Sequence, residues 1–125
     1  MAVADSSFIV ALLYPADVNH EKAVEIFNSL NRLDILDWAV GESATVLSYK
    51  LNKEDFVSIW RAFSPFLNTY NLSLRDALNF YSQLPPAPKV SFIDSAVIQL
   101  ALSLQAPLLT FDKNQQKLWE RLRIR

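Results

Sequence analysis

Short apolar segments alternate with segments of helical periodicity along this chain, and an acid stands at four of the junctions between them. Asp5 follows the apolar run from Met1 to Ala4 and precedes Ser6, Ser7 and Phe8. Glu42 opens the stretch from Gly41 to Leu47. Asp94 lies between Ile93 and Ser95, and Asp112 closes the run Leu108, Leu109, Thr110, Phe111. Alternation of this kind builds a mostly parallel sheet flanked by crossover helices. Such a sheet carries strand ends and helix starts to one edge, where ligands bind. Carboxylates gathered there repel one another unless a hard cation neutralises them. The pattern therefore predicts an α/β fold with a metal-dependent site for phosphoryl transfer.

The 125 residues suit a single domain, 1–125, with a sizeable core. Hydrophobic residues make up 51% of the chain and only one glycine is present, which excludes disorder and favours a helix-rich globule. A formal net charge of -1 excludes a broadly basic nucleic-acid binder, so contact with a polyanion rests on local basic patches and metal ions. Without cysteine there is neither disulfide nor thiolate chemistry, as suits a reducing compartment. The apolar run from Phe8 to Leu13 is too short to span a bilayer, and no basic segment precedes it as a signal peptide requires. A cytoplasmic protein with no membrane partner is expected.

Periodicity places the elements. Ala2 to Ala4 reads as a buried strand, and Phe8, Ile9, Leu12 and Leu13 as a helix ending before Pro15. A second helix is expected from His20 to Leu33, and a short strand at Ile35 and Leu36 with Trp38. Gly41 permits a turn into a helix reaching about Leu51. Lys53 to Phe63 is helical and stops at Pro65. Asn68 to Leu72 reads as a strand, and Ser73 caps a helix through Tyr81. The prolines from Pro85 to Pro88 form a stiff connector. Then come a buried helix from Phe92 to Leu104, a strand from Pro107 to Phe111, a polar helix from Asn114 to Leu122 and a last edge strand from Leu122 to Ile124.

Each acid, taken singly, has an ordinary explanation. Asp5 and Asp112 suit helix N-caps, and Ser91 with Asp94 has the spacing of a capping box. Glu42 suits the positive end of a helix dipole. Two details go further. Asp94 interrupts an otherwise apolar segment, where an unpartnered carboxylate is costly. Thr110 and Asp112 lie two apart in an extended segment and so point to the same side, where the Thr110 hydroxyl can position Asp112 or a water.

The runs from Val3 to Ser7, Glu42 with Ser43, Phe92 to Ala96 and Leu109 to Asp112 together resemble the PIN-domain ribonucleases. The nearest likeness is to the single-domain toxins of toxin–antitoxin pairs, the VapC type, and it covers essentially the whole chain. That resemblance implies a PIN-like parallel sheet wrapped by helices and metal-dependent cleavage of RNA phosphodiester bonds. It implies Asp5, Glu42, Asp94 and Asp112 as the set holding Mg²⁺ or Mn²⁺, with Ser6 and Thr110 as supporting hydroxyls. An antitoxin lying across the groove and a homodimer are further implications. Many such relatives carry glycine before the last motif, whereas this chain has Gln105, Ala106 and Pro107. Asp5 and Asp94 are expected to ligate directly, and Glu42 and Asp112 through water or on a second ion.

Lys113, Lys117, Arg121, Arg123 and Arg125 cluster after Asp112, where they form a solvated face or grip phosphates. His20 is the only histidine and is expected to serve a surface or capping role, and Asp17, Asp34, Asp37 and Asp55 are expected in loops, caps or exposed faces. Phe56, Trp60, Phe63 and Phe66, widened by Val57 and Ile59, belong to the core or to a dimer or antitoxin surface. The competing readings are a catalytically silent PIN-like module that binds RNA or protein, an acid-bearing phosphatase or receiver, and a structural protein whose acids are caps.

Overall fold

Val3 and Ala4 are wholly buried because the short strand they form has neighbours on both sides. The structure, a computed structural model, describes residues 1–124. Four strands, β1 (Val3–Ala4), β2 (Leu33–Leu36), β3 (Leu67–Tyr70) and β4 (Leu108–Leu109), form one sheet in the order β3-β2-β1-β4. All three pairings are parallel. Val3 faces Asp34 on one side and Leu108 on the other, and the Asp5 N–H continues the ladder to the Leu109 carbonyl at 2.9 Å. The carboxyl ends of β1, β2 and β4 therefore share one edge.

Seven helices among the described residues surround the sheet: α1 (Ser6–Leu13), α2 (His20–Leu30), α3 (Asp37–Lys50), α4 (Lys53–Phe63), α5 (Leu74–Ser82), α6 (Phe92–Leu104) and α7 (Lys113–Arg123). A 3-10 turn, Ser64–Phe66, begins where Pro65 ends α4. Helix α6 packs across β1 and β2 through Ala96, Val97, Ile98 and Ala101, all essentially inaccessible. Small alanines let the helix approach the sheet closely, and Phe8, Ile9, Ile35 and Leu36 are buried in the same core. No described helix is long and apolar enough to cross a membrane. The expected α/β class, with its parallel sheet and flanking helices, is what forms.

Several boundaries move, each for a local reason. The second helix stops at Leu30 rather than Leu33, because Asn31 turns left-handed (φ 61°) and returns its N–H to the Phe27 carbonyl. Leu33 is thereby freed to begin β2. Trp38 is helical, since α3 starts already at Asp37, and Gly41 is an interior helical residue rather than a turn. Consequently Glu42 sits in the second turn of α3, too far from its start to serve as a dipole partner there. The expected last strand, Leu122 to Ile124, does not form: the stripe Gln115, Leu118, Trp119, Leu122 keeps helical spacing, and α7 runs on to Arg123. Asp34, expected in a loop or cap, lies buried in β2, where its carboxylate accepts the Asn68 side-chain amide at 3.0 Å.

Gln105 takes the place of a glycine at the end of α6. It is left-handed (φ 52°, ψ 40°), and the N–H groups of Gln105 and Ala106 close back on Leu102 and Ala101. A non-glycine in that conformation is strained by about 1 kcal/mol. Gln105→Gly is therefore expected to stabilise the fold by about 1 kcal/mol, and Gly41→Ala by about 0.5–1 kcal/mol, since a Cβ at position 41 meets nothing within 4 Å. Urea titration of the two variants checks both signs.

Candidate functional site

The sheet edge gathers acids from three separate elements. Asp5 follows β1 directly and caps α1, its Oδ2 accepting the Ser7 N–H at 3.1 Å, and only 2% of the residue is exposed. Glu42 enters from α3, half-buried, and its Oε1 accepts the Ser6 hydroxyl. Asp94 stands in the first turn of α6, whose N-cap Ser91 accepts the Asp94 N–H at 3.1 Å. One carboxylate oxygen from each of Asp5, Glu42 and Asp94 lies within 4.8 Å of the other two. Capping and convergence are thus the same geometry: the residue that starts α1 also anchors the cluster.

Asp112 stands apart from this trio. It caps α7, with Oδ1 accepting the Gln115 N–H at 3.0 Å, and is exposed. Its charge still reaches the site. Burial, followed by the charges of Asp5, Asp112 and Glu42, pushes the Asp94 carboxyl up to about 6. Three carboxylates with no countercharge among them are the arrangement a hard cation relieves.

Thr110 ties the strand end to this cluster. Its hydroxyl donates to Asp5 Oδ2 at 3.3 Å and accepts the Asp112 N–H at 3.0 Å. With its one proton on Asp5, it accepts from the Ser7 hydroxyl 3.1 Å away, and Ser7 Oγ in turn accepts the Phe111 N–H at 2.9 Å.

The PIN domain family pattern matches residues 2–120. The chain belongs to the PIN domain family. This PIN domain is similar to the structure of VapC20 from Mycobacterium tuberculosis, described as a sarcin–ricin loop cleaving toxin. The TM-score is 0.80 at 17% sequence identity, over 94% of this chain and 94% of that one, a likeness of fold. No curated protein matches the chain.

Two residues of the PIN domain's site went unmarked in the sequence. Ser7 was visible only as a neighbour of Asp5. Gln115, fully buried, donates its side-chain amide to Asp5 Oδ1 at 3.3 Å and to the Asp94 carbonyl at 3.2 Å. Its position three residues after Asp112 is a capping-box spacing, yet the side chain turns inward to the acids. Two arginines expected to grip phosphates are engaged elsewhere. Arg121 donates to the Ala87 carbonyl, Arg123 lies over the Trp119 ring, and Arg125 lies outside the described residues. His20 Nδ1 meets the Ala11 carbonyl at 2.8 Å and pins α2 to α1, as a structural role requires.

A raised carboxyl pKa makes ionisation costly for the fold. The cost is absent below the ordinary value of 3.8, grows as pH rises, and is complete above about 6. Asp94→Asn is therefore expected to raise the melting temperature of the metal-free protein near pH 8 and to give no such gain near about pH 3.5. Thermal scans at the two pH values check this, and a lower melting temperature near pH 8 would contradict it.

Proposed function

We propose that this PIN domain is a metal-dependent endoribonuclease, acting in the cytoplasm as the toxin of a toxin–antitoxin pair. The observation that carries the proposal is the approach of the Asp5, Glu42 and Asp94 oxygens to within 4.8 Å at the carboxyl ends of a parallel sheet. Membership of the PIN family and the fold likeness to a sarcin–ricin loop cleaving toxin support it.

The donor set fits Mg²⁺ or Mn²⁺. All its ligating atoms are carboxylate oxygens, the hard donors these ions prefer. Zinc is a poor match, since there is no cysteine and the single histidine is engaged with a backbone carbonyl. Asp5 and Asp94 would hold the ion directly, with Glu42 as a third donor and Asp112 acting through water or on a second ion. When bound, the ion supplies Lewis-acid polarisation of a phosphoryl oxygen and acidifies water at the site.

The chain's own part is orientation. Ser6 holds Glu42, while Thr110, Gln115 and the Ser7 N–H fix both oxygens of Asp5. These bonds lock the donors before substrate arrives, so little rearrangement accompanies ion binding. Partner surfaces are proposed at the exposed apolar side chains of Val57 and Phe66, and of Leu74 and Leu78 on α5, which suit a homodimer or an antitoxin. From the aromatic stretch, Phe63 is core and Phe56 and Trp60 are half-buried.

Incubating the protein with RNA and Mn²⁺, with and without EDTA, tests the reading. Cleavage is expected only with the metal, and Asp94→Asn is expected to lower it by about 10³-fold or more while the folded circular-dichroism spectrum persists. Mn²⁺ binding without cleavage of any RNA would favour the silent module instead. Absence of Mn²⁺ binding by calorimetry would leave the acids as caps.

A further inference from the structure

A cavity of about 520 Å³ opens beside Asp112, bounded by α1, α2, β4 and α7, and its size is that of a small-ligand site. It exists because β4 is the last strand of the sheet on this side, so no further strand fills the space between α2 and α7. The floor is apolar. Ile26 and Phe111 face it, and the Phe111 ring is stacked on the buried Phe8 ring at 5.9 Å and 11°, which holds its plane fixed.

The charged lining is one-sided. Lys22 comes from α2, and Lys113 and Lys117 come from adjacent turns of α7, against the single acid Asp112. In a chain of net charge -1 this is a local concentration of positive charge on an apolar floor. Solvated lysines alone would signify little. Here they ring a concave aromatic surface, and two rim residues act on the acid cluster: Thr110 donates to Asp5, and the Asp112 charge bears on Asp94.

We infer that this cavity takes one unpaired nucleotide of an RNA strand whose neighbouring phosphate lies at the acids. The base stacks on Phe111 and Ile26, and the flanking phosphates are held by Lys22, Lys113 and Lys117. The inference rests on the nuclease reading for the phosphate at the acids, and it gives that site a place to hold one base apart from its neighbours. An unpaired base exposes the face that a fixed aromatic ring can stack on, whereas a paired one does not.

The test measures binding without cleavage: labelled single-stranded RNA titrated by fluorescence anisotropy in EDTA over a range of salt. Lys22→Gln with Lys117→Gln is expected to weaken binding about tenfold or more and to flatten the slope of log affinity against log salt by about 1.4. Phe111→Leu is expected to weaken binding at least about fivefold, and this loss should vanish for an oligonucleotide carrying an abasic site in place of the stacked base. The lysine variants are surface changes and decide the matter if Phe111→Leu fails to fold. Unchanged affinity and unchanged slope overturn the inference and leave the cavity to a protein segment. Wild-type cleavage unaffected by the lysine variants sinks the cavity while the nuclease stands. RNA binding that responds as expected in a protein that never cleaves sinks the nuclease reading and keeps the cavity.

Discussion

The parallel pairing of β1 with both β2 and β4 is the constraint from which the site follows. Two residues of strand suffice because their N–H and carbonyl groups are taken on both sides, and because the side chains of Val3 and Ala4 are buried above and below. With β1 held centrally, Asp5 has to emerge at the sheet edge, and α1 has to start there. The same pairing sets Leu109 opposite Ala4, and hence Thr110 level with Asp5. Glu42 and Asp94 then arrive on helices that pack against this frame.

The cluster works against the fold electrostatically and is retained. Burial of Asp94 among Asp5, Asp112 and Glu42 raises its carboxyl to about 6, and among the described residues no basic group is one of the charges acting on it. Neutral donors are used instead: hydroxyls from Ser6 and Thr110, and an amide from Gln115. Donors of that kind orient carboxylates without satisfying their charge, which leaves the attraction for a cation undiminished.

Much of this was legible in the chain. The alternation of apolar and helical segments implied the parallel sheet, and the order of the acidic motifs implied the family. The capping roles of Ser73, Ser91 and Asp112 followed from residue type and spacing. What escaped were features set by tertiary context. Gly41 looks like a turn on propensity alone, but burial of Ala39, Ser43 and Leu47 on one face of α3 holds it in a helix. Asp34 looks like a loop acid until Asn68 on the neighbouring strand supplies its partner. Gln115 is 110 residues from Asp5, and no local pattern announces a contact across that distance. The four acids likewise sort into three that converge and one that stands beside them only once the helices are docked.

The Asp5 carboxylate draws its partners from near and far in sequence: the Ser7 N–H beside it, then Thr110 and Gln115, separated from it by 105 and 110 positions. The cradle is therefore assembled only when the end of β4 and the start of α7 have docked against α1. Without α7 the acids and their Ser6, Ser7 and Thr110 contacts would remain, but the Gln115 amide that holds Asp5 Oδ1 would be gone. Orientation of the acids therefore depends on tertiary docking and not on any local segment.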